Sequence, residues 1–272
     1  MEYQLNELLA GIPNADYHAA PGIGKSGLDL INRSPAHFRY APSREPSRSM
    51  VLGSATHAAI LEPETFARDY VVVDCADKRA SIWKEAVAAR GADAVLTRAE
   101  ADQIAGMAES CRANPGIASI LAAGRAELSL FATDPVTGVR VKIRPDWLTD
   151  AGQIADLKTT ADASDEGFGK SIVNYRYYVQ QAFYQDVFSW AFGDVPDFVF
   201  LVCESEMPHC STIVRLPHDV LQYGRKVYRE NLNAYARALE SDEWHGIPSD
   251  EHVIMLPGWF IGQIENEQEI NV

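Results

Sequence analysis

Two aspartates and a lysine in the middle of this 272-residue chain have the types and spacing for phosphoryl chemistry. Asp146 follows Pro145 near the end of one alternating segment, and Asp156-Leu157-Lys158 lies in the next, after apolar Ile154. Adjacent antiparallel strands joined by a short turn bring two such carboxylates to one sheet edge, and hard oxygen donors suit Mg²⁺, with Mn²⁺ as an alternative. A divalent ion held there polarises a phosphoryl oxygen and activates water for attack on phosphorus. Lys158 is two residues beyond Asp156 and therefore points to the same face of the strand. Its ammonium can orient the water or stabilise charge on the pentavalent phosphate. An Asp-x-Lys tripeptide occurs by chance about once in a chain of this size, so its meaning depends on the elements around it.

Those elements follow from the hydrophobic period. Residues 127–133 alternate as a strand, 134–138 form a turn, and 139–148 alternate again, which predicts a hairpin closed by Asp146. A turn at 150–152 leads to a third strand at 153–159, then a long helical pattern spans 170–190. Apolar strands at 197–203 and 211–216 precede an amphipathic helix at 218–239. Upstream, a helical stretch at 26–40 is interrupted at Ser34-Pro35, because a residue before proline disfavours helical geometry. A helix at 50–61, rich in small residues, ends at Pro63. Thr97 and Glu100 have capping-box spacing and start a helix over 98–112, stopped at Asn114-Pro115-Gly116. Residues 76–91 fit either a basic loop or another helix. This order predicts an α/β protein with a central mixed β-sheet flanked by helices. A helical part at 14–125 and a catalytic part at 126–245 make one domain over 1–245, followed by an acidic extension at 246–272 with anchors at Trp259 and Phe260.

Composition narrows the classes. With 47% hydrophobic residues there is material for a core, yet no apolar run approaches the roughly 20 residues that span a bilayer, so a membrane protein is not expected. The first residues lack the basic-then-apolar layout of a secretory signal, which points to the cytoplasm. The four cysteines include no Cys-x-x-Cys pair and read as reduced thiols, with no iron–sulfur cluster expected. The net charge of −14 opposes an extended basic surface. From residue 241 to the end, however, seven acidic residues stand against no Lys or Arg, which accounts for half of that charge. Between residues 24 and 50 the sign reverses, so a local basic face is expected.

Two further fragments share a helix face at i and i+4. Gly53-Ser-Ala-Thr-His57 puts a histidine on the small-residue helix, and Gln180-Gln-Ala-Phe-Tyr184 lies on the helix after the third strand. Either alone reads as structural. In this order, with Pro145-Asp146 and Asp156-Leu157-Lys158, they resemble the G-x-x-x-H and Q-x-x-x-Y motifs of RecB-type nucleases of the PD-(D/E)xK superfamily. The likeness extends through Leu52-Gly-Ser-Ala-Thr-His-Ala-Ala-Ile-Leu-Glu-Pro-Glu64, Asp156-Leu-Lys-Thr-Thr-Ala161 and Tyr175-Arg-Tyr-Tyr-Val-Gln-Gln-Ala-Phe-Tyr184. Over about residues 14–245 the chain is similar to the nuclease domain of RecE, exodeoxyribonuclease VIII, and its phage relatives.

That resemblance implies the restriction-endonuclease-like fold and a set of roles. Asp146 and Asp156 are metal ligands, the Leu157 carbonyl and His57 complete the ion's surroundings, and Lys158 assists the water, with Gln180 and Tyr184 in support. Glu127 and Glu62 are second-rank candidates, for water-mediated ligation or DNA contact, Glu62 equally well a helix-end carboxylate. The implied activity is Mg²⁺-dependent, ATP-independent 5′-to-3′ exonuclease action on linear duplex DNA, leaving 3′ overhangs for a RecT-like annealing protein. Relatives form rings, so a trimer or tetramer is expected, with Lys25, Arg33, Lys78, Arg79, Lys84, Arg140, Lys142, Arg144 and Arg176 supplying phosphate contacts. Competing readings are an endonuclease of the same fold, a non-catalytic DNA-binding or assembly protein, and a hydrolase of small phosphoesters.

Overall fold

The computed structural model describes residues 3–42, 45–75, 77–247, 249, 251 and 253, so Trp259 and Phe260 lie outside the described residues. The chain opens with β1 (Leu8–Leu9), α1 (Asn14–Ala19), α2 (Lys25–Arg33), α3 (Pro35–Arg39), α4 (Arg48–Leu61) and α5 (Pro63–Asp69). A small unit follows, β2 (Val71–Val73), α6 (Ser81–Arg90) and β3 (Val95–Thr97), and then α7 (Arg98–Ala113) and α8 (Pro115–Leu121). The second half holds β4 (Gly124–Ala126), β5 (Ser129–Thr133), β6 (Arg140–Ile143), β7 (Trp147–Thr149) and β8 (Ile154–Thr160). It ends with α9 (Asp165–Asn174), α10 (Tyr177–Phe192), β9 (Phe198–Glu204), β10 (Ser211–Val214) and α11 (His218–Ser241).

Local chemistry sets several of these boundaries. The Thr97 hydroxyl accepts the Glu100 N–H while the Glu100 carboxylate accepts the Thr97 N–H, completing the capping box that starts α7. Glu100 also pairs with Arg48 and Lys78, and these cations hold its pKa down to about 2 against its burial. Asn114 accepts the N–H groups of Gly116 and Ile117, so the segment that ends α7 also caps α8. The ambiguous stretch at 76–91 contains a helix, α6, packed on the parallel pair β2 and β3.

The principal sheet runs β10-β9-β8-β7-β4, with β8 and β9 parallel and the other pairs antiparallel. Both faces are covered. Ala155 and Leu157 of β8, with Val199 and Leu201 of β9, pack against Ala55 and Ala59 of α4 and Ile104 and Met107 of α7. Ile154, Phe198, Phe200 and Val202 face Phe183 and Val187 of α10 and Leu232 of α11. Burial on both faces explains why β9 reads as an unbroken apolar run. No helix among the described residues is long and apolar enough to cross a membrane.

Two elements differ from expectation. The run at 139–148 is two strands in two sheets: β6 pairs with β5 in a separate sheet ordered β1-β5-β6, and after Arg144-Pro145-Asp146 the chain enters the principal sheet as β7. The facing chain changes sheet at the same level, between β4 and β5, where Glu127 takes the left-handed φ of 51°. Such a φ is uncommon for a residue with a β-carbon and costs on the order of 1–3 kcal/mol, held here by the surrounding ladder. The helical pattern at 170–190 is likewise two helices, α9 and α10, broken at Tyr175-Arg176 with Arg176 at φ 56°. A 3.6-residue period survives such a break, so the pattern does not reveal it.

Candidate active site

The site lies where β8 loses a neighbour. Strand β7 pairs with β8 only through Trp147 opposite Ala155 and Leu148 opposite Ile154, so among the described residues no strand covers the edge of β8 beyond Ala155 on that side. Asp146, just before β7, fills the gap: its Oδ2 accepts the Leu157 N–H at 2.8 Å. A residue's N–H and C=O share one strand edge, so the Leu157 carbonyl faces the same opening, and the His57 imidazole makes a backbone hydrogen bond with Leu157 there. The His57 Nδ1 also stands 3.5 Å from Asp146 Oδ2. Burial lowers the His57 pKa despite the Asp146 charge, which keeps its ring neutral with a lone pair to offer.

Asp156 and Lys158 alternate onto the α10 side of β8, as their spacing predicts. Asp156 is 1% exposed, accepts Gln180 Nε2 at 2.5 Å through Oδ1, and forms an ion pair with Lys158 through Oδ2. Lys158 lies 4.7 Å above the Tyr177 ring. Its pKa is raised, because the Asp156 and Asp146 charges outweigh desolvation by burial. Tyr184, one turn beyond Gln180, reaches the Arg144 carbonyl at 3.4 Å, next to Pro145-Asp146. The Gln and Tyr of the i, i+4 pair therefore hold the two aspartate-bearing segments against α10.

The donor grouping differs in one member from the expected ligand set. One donor atom each from His57, Glu127 and Asp146 lie within 4.8 Å of one another. Oxygen and nitrogen donors around Mg²⁺ at about 2.1 Å stand up to about 4.2 Å apart, so this group fits a divalent cation after a small contraction. Glu127, a further candidate in the sequence, is thus a member of the group, while Asp156 is not, its Oδ2 being paired with Lys158. The electrostatics agree with a cation site. Burial and the charge of Asp146 push Glu127 up to about 8, with Arg144 opposing and Glu62 and Asp156 adding to the rise. Burial and Asp146 likewise push Asp156 up to about 7, against Lys158. Carboxylates that raise one another's pKa are short of positive charge. Glu62 caps the end of α4 and adds its charge to that field.

The basic residues divide. Lys142 and Arg144 are corrected from phosphate contacts to interior groups. Lys142 Nζ donates to the carbonyls of Tyr17, His18 and Ala20, and burial lowers its pKa to about 8. Arg144 donates to Ser129 Oγ and the Ile12 carbonyl, lies 4.1 Å above the Tyr17 ring, and offsets the charge of Glu127. The Lys142 ammonium has all three of its N–H groups committed, and the Arg144 guanidinium, two of its five N–H groups donated inward, is buried behind the segment that holds it. Lys25 and Arg176 share Asp29, at 2.7 and 2.8 Å. Lys78 pairs with Glu100, and Arg79 with Asp77, though both remain on the surface. Arg33 and Lys84 are exposed and Arg140 is half-buried. A cavity of 880 Å³ lies at the opposite end of the strands between Thr149, Gln153, Phe192 and Pro196, and is lined by none of the expected site residues.

All four cysteines are free. Cys203 and Cys210 are joined by the β9–β10 hairpin, in which Ser211 rather than Cys210 faces Cys203.

A solved structure from Eubacterium rectale, described as a "Putative exonuclease", is similar over 94% of this chain and 98% of its own, with a TM-score of 0.64 and 13% sequence identity. At that identity the likeness is one of fold. No curated protein matches the chain. Residues 27–249 match the PDDEXK-like domain of unknown function (DUF3799). That match takes in His57, Glu127, Asp146, Asp156, Lys158 and Gln180, and so this chain, with its two aspartates and lysine on one sheet edge, belongs to the PDDEXK-like family.

Proposed function

We propose that this chain is a divalent-metal-dependent nuclease that degrades linear duplex DNA from its ends, 5′ to 3′, leaving 3′ single-stranded overhangs. The observation that carries the reading is the grouping of His57, Glu127 and Asp146 donors beside the Asp156–Lys158 pair at the open edge of β8. Family membership and the fold shared with a protein described as an exonuclease support it.

In this reading His57, Glu127 and Asp146 hold Mg²⁺, or Mn²⁺ in its place, with Asp156 and the Leu157 carbonyl completing its surroundings. Such an ion polarises a phosphoryl oxygen and lowers the pKa of bound water. Lys158, kept charged by Asp156 and Asp146, donates toward the attacking water or a non-bridging phosphate oxygen. Gln180 is a positioning residue that fixes Asp156, and Tyr184 does the same for the Arg144–Asp146 turn. Phosphate contacts come from exposed Arg33, Lys78, Arg79 and Lys84. Action without ATP, a ring of three or four copies, and hand-over to a RecT-like annealing protein complete the proposal, on the RecE resemblance.

The test is degradation of a linear duplex labelled separately at its 5′ and 3′ termini, beside a closed circle, with Mg²⁺ and without ATP. Early release of the 5′ label with the circle intact is expected. Cutting of the circle would replace this reading with an endonuclease, since a closed duplex offers no end.

A further inference from the structure

The break between α9 and α10 presents an aromatic ring that the proposed chemistry does not use. Tyr175 is 61% exposed, yet its surroundings are fixed. Its N–H donates to the Ser171 carbonyl at 2.9 Å, and its own carbonyl accepts Lys25 Nζ at 2.5 Å. The next residue, Arg176, is in the left-handed region and is tied to Asp29 at 2.8 Å, while Asp29 is tied to Lys25 at 2.7 Å. The corner is thus pinned by two cations and a carboxylate, and what it displays is a large ring facing solvent. Core packing does not account for a ring so exposed.

One face of that ring lies on Tyr177, with centroids 5.6 Å apart and planes within 24°. Tyr177 in turn lies under Lys158 Nζ at 4.7 Å. Lys158, Tyr177 and Tyr175 therefore form a continuous stack that leads outward from the Asp156 carboxylate. Alongside it runs a groove of about 510 Å³, walled by Gly53 and Thr56 of α4, Thr159 and Thr160 of β8, and Ser171 and Tyr175. Its wall begins one residue from His57 and one from Lys158. A β-carbon added at Gly53 would meet nothing within 4 Å, so the α4 side is open. The preorganised aromatic face at its mouth suits an unpaired nucleobase, because every base has a π-face and stacking is indifferent to its identity. Two side-chain torsions are all that such a ring loses on binding.

We propose that Tyr175 is a stacking platform for a base of the single DNA strand whose phosphate enters the catalytic group, with the groove as its subsite. The inference rests on the nuclease reading and adds a binding residue to it.

The test is a cycle between protein and DNA. Affinity for a single-stranded oligonucleotide is measured by fluorescence anisotropy with Ca²⁺ in place of Mg²⁺, for the unmodified protein and for Tyr175→Ala, Tyr175→Phe and Tyr175→Trp. Each is repeated with one abasic nucleotide moved along the strand. The expected result is that an abasic nucleotide at one position weakens binding to the unmodified protein on the order of tenfold, the scale of a single base–aromatic stack. Tyr175→Ala should lose a similar factor and become indifferent to that abasic nucleotide, whereas the Phe and Trp variants keep both affinity and discrimination. If Tyr175→Ala cuts linear duplex and retains the affinity and abasic sensitivity of the unmodified protein, the subsite is wrong and the nuclease reading stands. If the unmodified protein neither binds nor cuts DNA, the nuclease reading falls and the subsite with it.

Discussion

The backbone N–H of Glu127 donates to the carbonyl of Asp146 at 3.1 Å, at the level where both chains of one ribbon pass from the three-stranded sheet to the principal sheet. The bend turns both carboxylates toward His57, and it explains why a glutamate accepts a left-handed backbone there. The carboxylate group is thus a product of the sheet crossover.

Asp156 and Lys158 are each other's counter-charge, with side chains 1% and 15% exposed. Asp156→Ala should abolish cleavage and also destabilise the protein by about 3 kcal/mol, because breaking one partner leaves a buried charge uncompensated. Asp156→Ala with Lys158→Met should recover most of that stability and none of the activity. Urea unfolding beside a cleavage assay checks both. Equal stability of the single and double variants would show that the pair is solvated.

Gln180 acts through Asp156. Gln180→Leu should lower kcat about 10- to 100-fold with KM little changed, the usual scale for removing a partner that orients a ligand. Gln180→Glu should be worse, since a second carboxyl 2.5 Å from Asp156 either repels it or takes its proton. Steady-state kinetics with saturating Mg²⁺ decides it, and a pure KM effect would place Gln180 on the substrate.

The stability of the metal-free protein should fall as pH rises. Asp156 at about 7 and Glu127 at about 8 are raised above the ordinary carboxylate values near 4 that they regain on unfolding. The folded state then binds more protons than the unfolded state between those limits, so this contribution is whole below about pH 4 and is lost as pH passes through 7 to 8. Mg²⁺ or Mn²⁺ should raise Tm more at pH 8 than at pH 5.5, and Glu127→Gln or His57→Ala should reduce that gain. Thermal unfolding with EDTA and with each ion measures it. A gain in Tm independent of pH and of these substitutions would place the cation elsewhere.

Lys142 and the surface cations should behave oppositely. Lys142→Met leaves three carbonyls near Tyr17 without their donor and should cost about 1–3 kcal/mol of stability, with no change in the salt dependence of DNA binding. Arg33→Ala or Lys84→Ala should leave Tm alone and reduce the salt slope by about 1 for each phosphate that the substituted side chain had neutralised. Binding measured across a salt series, beside Tm, separates the two kinds.

The sequence by itself determined much of the machinery, wherever the cause is local. Period-two alternation puts Asp156 and Lys158 on one face of β8, i and i+4 spacing puts Gln180 and Tyr184 on one face of α10, and Thr97 with Glu100 starts α7 by capping its free N–H groups. Tertiary structure decided what depends on distant partners. An alternating run looks the same whether it stays in one sheet or changes sheets, so the crossover that groups Glu127 with Asp146 and His57 left no mark in residues 139–148. Lys142 and Arg144 look like surface cations until the segment at 12–20 closes over them with its carbonyls. The turn at Tyr175-Arg176 is fixed by Asp29 and Lys25, nearly 150 residues away, and no local pattern records a pairing at that separation.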